Sequence, residues 1–322
     1  MGWLRLTLAL FLVAVVTLPL RWLRGPAHRL WDWKTELIAR LARGAVKAVG
    51  HDLGIARRLT TFGELSPWMR SRVQLAPGEL AGRAVEVHQP QNARGPTILY
   101  LHGGGYSICN PRTHRDLAAQ VAWSAGCRTV VLDYRLAPEH PYPAALEDAL
   151  AACQALRDQG VQELWLAGDS AGGGLVACTL VALRDRALPM PTGAVMLSPW
   201  VDLTERGLDP ALDSELDYLN TAVLRRYAQA YLDRQAPQDP LVSPVGADLR
   251  GLPPMLIQAG GAETMRDQVV AFAERAQASG AQVELDVAEG MVHVYQSLSA
   301  VVPQGREALR RIGAFVRSRA AP

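Results

Sequence analysis

Apolar side chains follow two rhythms along the 322-residue chain. Over 28–50, Leu30, Trp33, Leu37, Leu41 and Ala45 recur at helical spacing with Arg and Lys opposite, which predicts an amphipathic helix burying that stripe. From about Val85 the pattern changes to short apolar runs bounded by turn residues. Strands are predicted at 84–88, 97–101, 129–133, 164–167, 194–197, 255–258 and 283–287, with helices in the intervals. This alternation predicts an α/β fold, a mostly parallel central sheet flanked by helices. One interval breaks the rhythm. More than fifty residues separate Ser198 from Met255, too many for a simple crossover, so this stretch is expected to contribute to a lid. A final amphipathic helix is expected over 304–319.

The length suits one α/β domain with an appended cap. The division expected is 1–65 for an N-terminal apolar segment and cap helices, 66–200 and 245–322 for the catalytic core, and 201–244 for a cap insertion. A net charge of only +2, with scattered cations, excludes an electrostatic footprint for nucleic acid. Cys109, Cys127, Cys153 and Cys178 form no C-x-x-C pair, and no histidine cluster has metal-ligand spacing, so free thiols and no metal or cofactor are expected. The almost wholly apolar run over 6–20, flanked by Trp3, Arg5, Arg21, Trp22 and Arg24, has three readings. It is a membrane anchor or interfacial helix through residues 1–24, a helix over the catalytic cleft, or a cleaved signal. The compartment therefore stays open between cytoplasm and membrane surface, and a homodimer is left open.

Chemistry enters at Gly168-Asp169-Ser170-Ala171-Gly172, a G-x-S-x-G turn between a predicted strand and a helix-compatible run over 175–184. In that setting glycines relieve the crowding around a strained, exposed serine, which makes Ser170 the candidate nucleophile. Upstream, the strand 97–101 runs into His102-Gly103-Gly104-Gly105. Three glycines let backbone N–H groups face developing negative charge, so Gly104 and Gly105 are expected as oxyanion donors with the N–H of Ala171, and Gly103 as a turn-former. With these motifs the chain order is serine, acid, histidine, and of the seven histidines only His293 lies beyond the last strands. It is the candidate base. His102 is expected to brace its loop, and His114 and His140 to be structural or rim residues. The acid is sought after the strand 255–258, where Glu263 and Asp267 both occur. Glu263 is preferred because it sits nearer the strand end, while Asp267 is better placed to begin the next helix.

On these residues the sequence resembles the hormone-sensitive lipase-like esterases, the bacterial family related to arylacetamide deacetylases. The likeness runs from about Ile98 to the C-terminus. It rests on His102-Gly103-Gly104-Gly105, on 133–145 (Asp133-Tyr134-Arg135-Leu136-Ala137-Pro138-Glu139-His140 onward), on Gly168 to Gly173, and on Ser198-Pro199-Trp200. The resemblance implies an α/β-hydrolase fold, hydrolysis of small-molecule esters of short to medium acyl chains without a cofactor, and a helical cap. The family usually has Asp-Pro-Leu at the acid, where Glu263-Thr264-Met265 stands here. Asp133 and Asp202 match family positions and are expected to brace loops. Lactones, arylacetamides and acetylated metabolites are alternative substrates for the same residues. A non-catalytic ligand-binding role is the rival of another class, and His293 argues against it, because binding-only relatives lack that histidine. Trp33, Trp68, Tyr218 and Tyr227 are the expected cap liners.

Overall fold

The computed structural model describes residues 13, 16–17, 19–49 and 52–320. The apolar runs form one eight-stranded sheet of β1 Val73–Leu80, β2 Arg83–Pro90, β3 Thr97–Leu101, β4 Arg128–Leu132, β5 Leu164–Asp169, β6 Gly193–Leu197, β7 Met255–Gly260 and β8 Val283–Ala288. Their order is β1-β2-β4-β3-β5-β6-β7-β8. The β1–β2 and β2–β4 pairs are antiparallel, and every other pair is parallel. All seven expected strands are present, with ends displaced by no more than two residues. The eighth, β1, is a new element. Its Pro77-Gly78 step disguised it in the sequence, yet an edge strand tolerates proline because one side needs no ladder bonds. Ala81 and Gly82, both at positive φ, close its hairpin with β2.

Period-two alternation divides the core. Leu99 and Leu101 of β3 join one cluster with helices α5 (Ala144–Asp158), α6 (Ala171–Asp185) and α8 (Arg266–Ala278). Ile98 and Tyr100 join the other with α4 (Arg115–Ala125) and α9 (Pro303–Arg317). Helices thus cover both faces, which is why β5 and β7 are buried at every position. The C-terminal helix expected over 304–319 is α9.

Above the C-terminal strand ends lie α1 (Trp33–Val49), α2 (Leu53–Leu59) and α7 (Thr221–Leu232), whose residues Val46, Leu59 and Val223 reach one cavity with Ser170. A four-residue helix, α3 (Pro67–Arg70), precedes β1. The buried face of α1 differs from the expected stripe. Leu30 and Trp33 are exposed, whereas Thr35, Glu36 and Ala39 are buried, because Glu36 turns inward to pair with Arg21 and Arg40. The indole buried here is Trp31.

The expected membrane association through residues 1–24 is corrected. No helix among the described residues is long and apolar enough to cross a membrane. Of the run 6–20, only Val13, Val16, Thr17, Pro19 and Leu20 are described; the rest lies outside the described residues. Its described end is tied back to the fold, with Thr17 buried and Arg21 bonded to Glu36 and to the Trp31 carbonyl.

Candidate active site

Ser170 sits between β5 and α6 at φ 54°, ψ −124°, a conformation that L side chains rarely adopt. Three main-chain bonds hold it there: its N–H donates to Leu197 O (2.8 Å), and its carbonyl accepts from Trp200 N (2.9 Å) and Gly174 N (3.0 Å). The turn also needs its glycines. A Cβ at Gly168 would sit 2.6 Å from Leu101 O, and one at Gly172 would overlap the same carbonyl. Ala171, fully buried, opens α6, so its N–H is one of the donors a helix start leaves without an intrahelical partner.

The loop after β3 is built around Asp169. This buried carboxylate accepts from Tyr100 Oη (2.8 Å) and Gly103 N (3.1 Å) and lies 3.1 Å from His114 Nε2. Burial would raise its pKa, but the charge and hydrogen bond of His114 hold it below the ordinary aspartate value, and Asp169 in turn holds His114 above the ordinary histidine value against burial. The Gly103 N–H is therefore spent on structure, as a turn-former's would be. Gly104 and Gly105 follow at φ 116° and 57°, lining the cavity. A Cβ at Gly105 would lie 2.6 Å from the Tyr227 ring. His102 braces the loop by stacking on Tyr134 (centroids 4.3 Å apart), and burial pushes its pKa down to about 3, so it is neutral. His140 is exposed, and His114 lies at the cavity wall.

His293 follows β8 in a short loop, with Val294 at φ 46° donating its N–H to Ser198 Oγ (3.1 Å). Its Nδ1 lies 3.3 Å from Glu263 Oε2, and both side chains are buried. Burial lowers the His293 pKa, but the Glu263 bond and charge, then the charges of Asp217 and Asp169, outweigh it and raise the value. Asp267 is elsewhere, exposed on α8 and paired with Arg266 at 2.7 Å. The structure thus brings Glu263 to His293 and leaves Asp267 at the surface.

Ser170, His293, Gly104 and Gly105 border one cavity of about 370 Å³ with mostly apolar walls, among them Val46, Val49, Leu59, Leu117 and Val223. Of the expected liners, Tyr218 and Tyr227 are there, but Trp33 and Trp68 are exposed on the surface. Asp202 does brace its loop, accepting from Thr204 N (3.0 Å). Asp133 works through its main chain, its N–H donating to Ala84 O and its carbonyl accepting from Arg83. No group of three or more His, Cys, Asp or Glu among the described residues is disposed to hold a metal ion. Sequence reasoning missed Asp217, a buried carboxylate that accepts the N–H of His293. It lies in an irregular stretch 76 residues before the histidine and carries no motif.

The chain belongs to the α/β-hydrolase family: the model described as "alpha/beta hydrolase fold" matches residues 98–297. It is 42% identical over 233 residues to an acetyl-hydrolase of Streptomyces hygroscopicus, covering 71% of this chain and 78% of that one. It is 34% identical over 250 residues to an esterase of Acinetobacter venetianus, covering 76% and 82%. A solved esterase from the bacterial hormone-sensitive lipase family superposes with a TM-score of 0.75 at 39% identity, covering 86% of this chain and 91% of that one. Within the family, the protein is a carboxylic-ester hydrolase of the serine esterase type, related to the bacterial hormone-sensitive lipase esterases, and such esterases act on small-molecule esters.

Proposed function

We propose that Ser170 is the nucleophile, His293 the general base and Glu263 the acid, with the N–H groups of Gly104, Gly105 and Ala171 as the oxyanion hole. The observation carrying the reading is that the strained serine, the two loop glycines and a histidine bonded to a buried glutamate converge on one apolar cavity. Because Nδ1 faces Glu263, Nε2 is the nitrogen left to serve Ser170. Ser170 Oγ attacks the ester carbonyl while its proton passes to Nε2, and the carbonyl oxygen becomes an oxyanion. The alcohol leaves with that proton. Water then attacks the acyl-enzyme, giving its proton to Nε2, and the acid departs as Ser170 is restored. Glu263 stabilises the imidazolium in both steps.

The cavity volume and apolar walls favour short to medium acyl groups, and the acetyl-hydrolase relative supports acetyl esters among them. We assign 1–65 to an N-terminal apolar segment and cap helices, 201–244 to a cap insertion, and 66–200 and 245–322 to the catalytic core. The test is burst and steady-state hydrolysis of p-nitrophenyl esters of increasing chain length. Ser170→Ala and His293→Ala are expected to abolish turnover; residual turnover near the native rate in either would overturn the assignment.

A further inference from the structure

Asp217 lies between the short turn at Pro210–Leu212 and α7, is 1% exposed, and contributes nothing to the cavity wall. Its carboxylate accepts three backbone N–H groups. Oδ1 takes those of His293 (3.1 Å) and Tyr218 (2.9 Å), and Oδ2 takes that of Thr264 (3.0 Å). His293 belongs to the loop leaving β8 and Thr264 to the loop leaving β7, so one cap carboxylate bridges the main chains that carry the base and the acid.

We propose that Asp217 is a positioning residue of the esterase reaction, clamping the His293 and Glu263 loops in the register that lets base and acid meet. The proposal rests on reading His293 and Glu263 as that pair. Glu263 is poorly placed to orient itself: Oε2 meets His293 at 3.3 Å, whereas Oε1 is buried without a hydrogen-bond partner among the described residues. A glutamate has one more rotatable bond than an aspartate, so the register of its loop must be fixed from elsewhere. Thr264 supplies the handle. It stands where the resemblance places proline, which would have no N–H to give. Its Oγ1 also donates to Leu219 O (3.0 Å) and accepts from Ser214 N (3.3 Å), so segment 214–219 holds the acid loop at three points. The same segment holds the base, since the Tyr218 ring packs edge-on against the His293 imidazole with centroids 5.8 Å apart.

The Asp217 charge is felt at the imidazole as well. The charged groups facing His293 are Glu263, Asp217 and Asp169, and those facing Asp217 are His293 and Glu263. Burial pushes the Asp217 carboxyl above its ordinary value, with the His293 charge and the N–H groups of Thr264 and His293 opposing.

The experiment uses the full chain with Asp217→Asn and Asp217→Ala, p-nitrophenyl butyrate as substrate, and a phosphonate that titrates active serines so that rates refer to folded sites. Misplacing reacting groups by about an ångström costs on the order of 10²-fold. The alanine variant is therefore expected to lose about 10²-fold in kcat with KM changed less than about threefold, and asparagine, which keeps one acceptor oxygen, to recover part of the loss. In both, the acid limb of kcat/KM is expected to move to lower pH, because a carboxylate facing the imidazolium is gone; a purely structural residue would leave it in place. A native kcat and an unmoved acid limb per titrated site in Asp217→Asn would overturn the proposal, as would a loss confined to KM. Failure of the triad reading shows separately, as turnover retained in Ser170→Ala or His293→Ala.

Discussion

Glu263→Gln isolates the charge of the proposed acid while nearly preserving shape. In the proposed mechanism His293 is the base and must be neutral in the resting enzyme; positive charge would develop on it only as Ser170 gives up its proton, so the carboxylate would act chiefly on the transition state. At the 3.3 Å separation seen here, and with an effective dielectric of about 20, the two charges attract by roughly 332/(20 × 3.3), about 5 kcal/mol. At about 1.36 kcal/mol per decade this is a ceiling of about 10³–10⁴ in rate. Two features pull the expected loss below that ceiling. The 3.3 Å contact is long for a charge-assisted hydrogen bond, and Asp217 still faces the imidazolium after the substitution. The expected loss in kcat/KM for p-nitrophenyl acetate and butyrate is therefore about 10²–10³-fold, with melting temperature monitored alongside. Asp267→Asn, whose parent side chain is paired with Arg266 at the surface, is expected to stay within about twofold of native. A loss below tenfold at Glu263, or an equal loss at Asp267, would refute the reasoning.

Three further outcomes follow from the same geometry. Gly104→Ala forces a Cβ at φ 116° to within 2.9 Å of Cys109 Cβ and closer still to Ile108 O, and is expected to lower kcat/KM by at least about 10²-fold through loss of oxyanion alignment, with retained activity counting against Gly104 as a donor. As the proposed base His293 would act only when neutral, and its pKa is raised, so activity is expected to fall already as pH drops through a value above the ordinary 6.5, and a kcat/KM profile whose acid midpoint lies below 6.5 would contradict this. Burial would raise Glu86, but hydrogen bonds and charge from His88 and Arg115 hold it at about 2; its contribution to stability is complete above about 4.5 and is lost as pH falls from there toward 2. Urea midpoints measured over that window should fall less steeply with acid in Glu86→Gln than in the native chain.

Much of this molecule was legible before any coordinates. The strands were readable because a parallel sheet buried on both faces demands continuous apolar runs, and the serine turn and triple-glycine loop because close backbone approach admits no Cβ. These are local constraints, written where they act. Chain order then singled out His293. What the tertiary structure decided depends on which distant groups meet. Glu263, in the loop leaving β7, lies buried against the histidine, whereas Asp267, in the first turn of α8, is turned to solvent. On α1 the apolar stripe lost to a buried ion pair: Glu36 faces inward with Arg21 and Arg40, and Trp33 is left outside. β1 needed its edge position to accommodate Pro77. Asp217 carried no signal at all, since a carboxylate that accepts the N–H of a residue 76 positions away leaves no mark on the sequence around it. Local backbone geometry is encoded where it occurs, whereas the partners of a buried charge are chosen only when the chain closes around it.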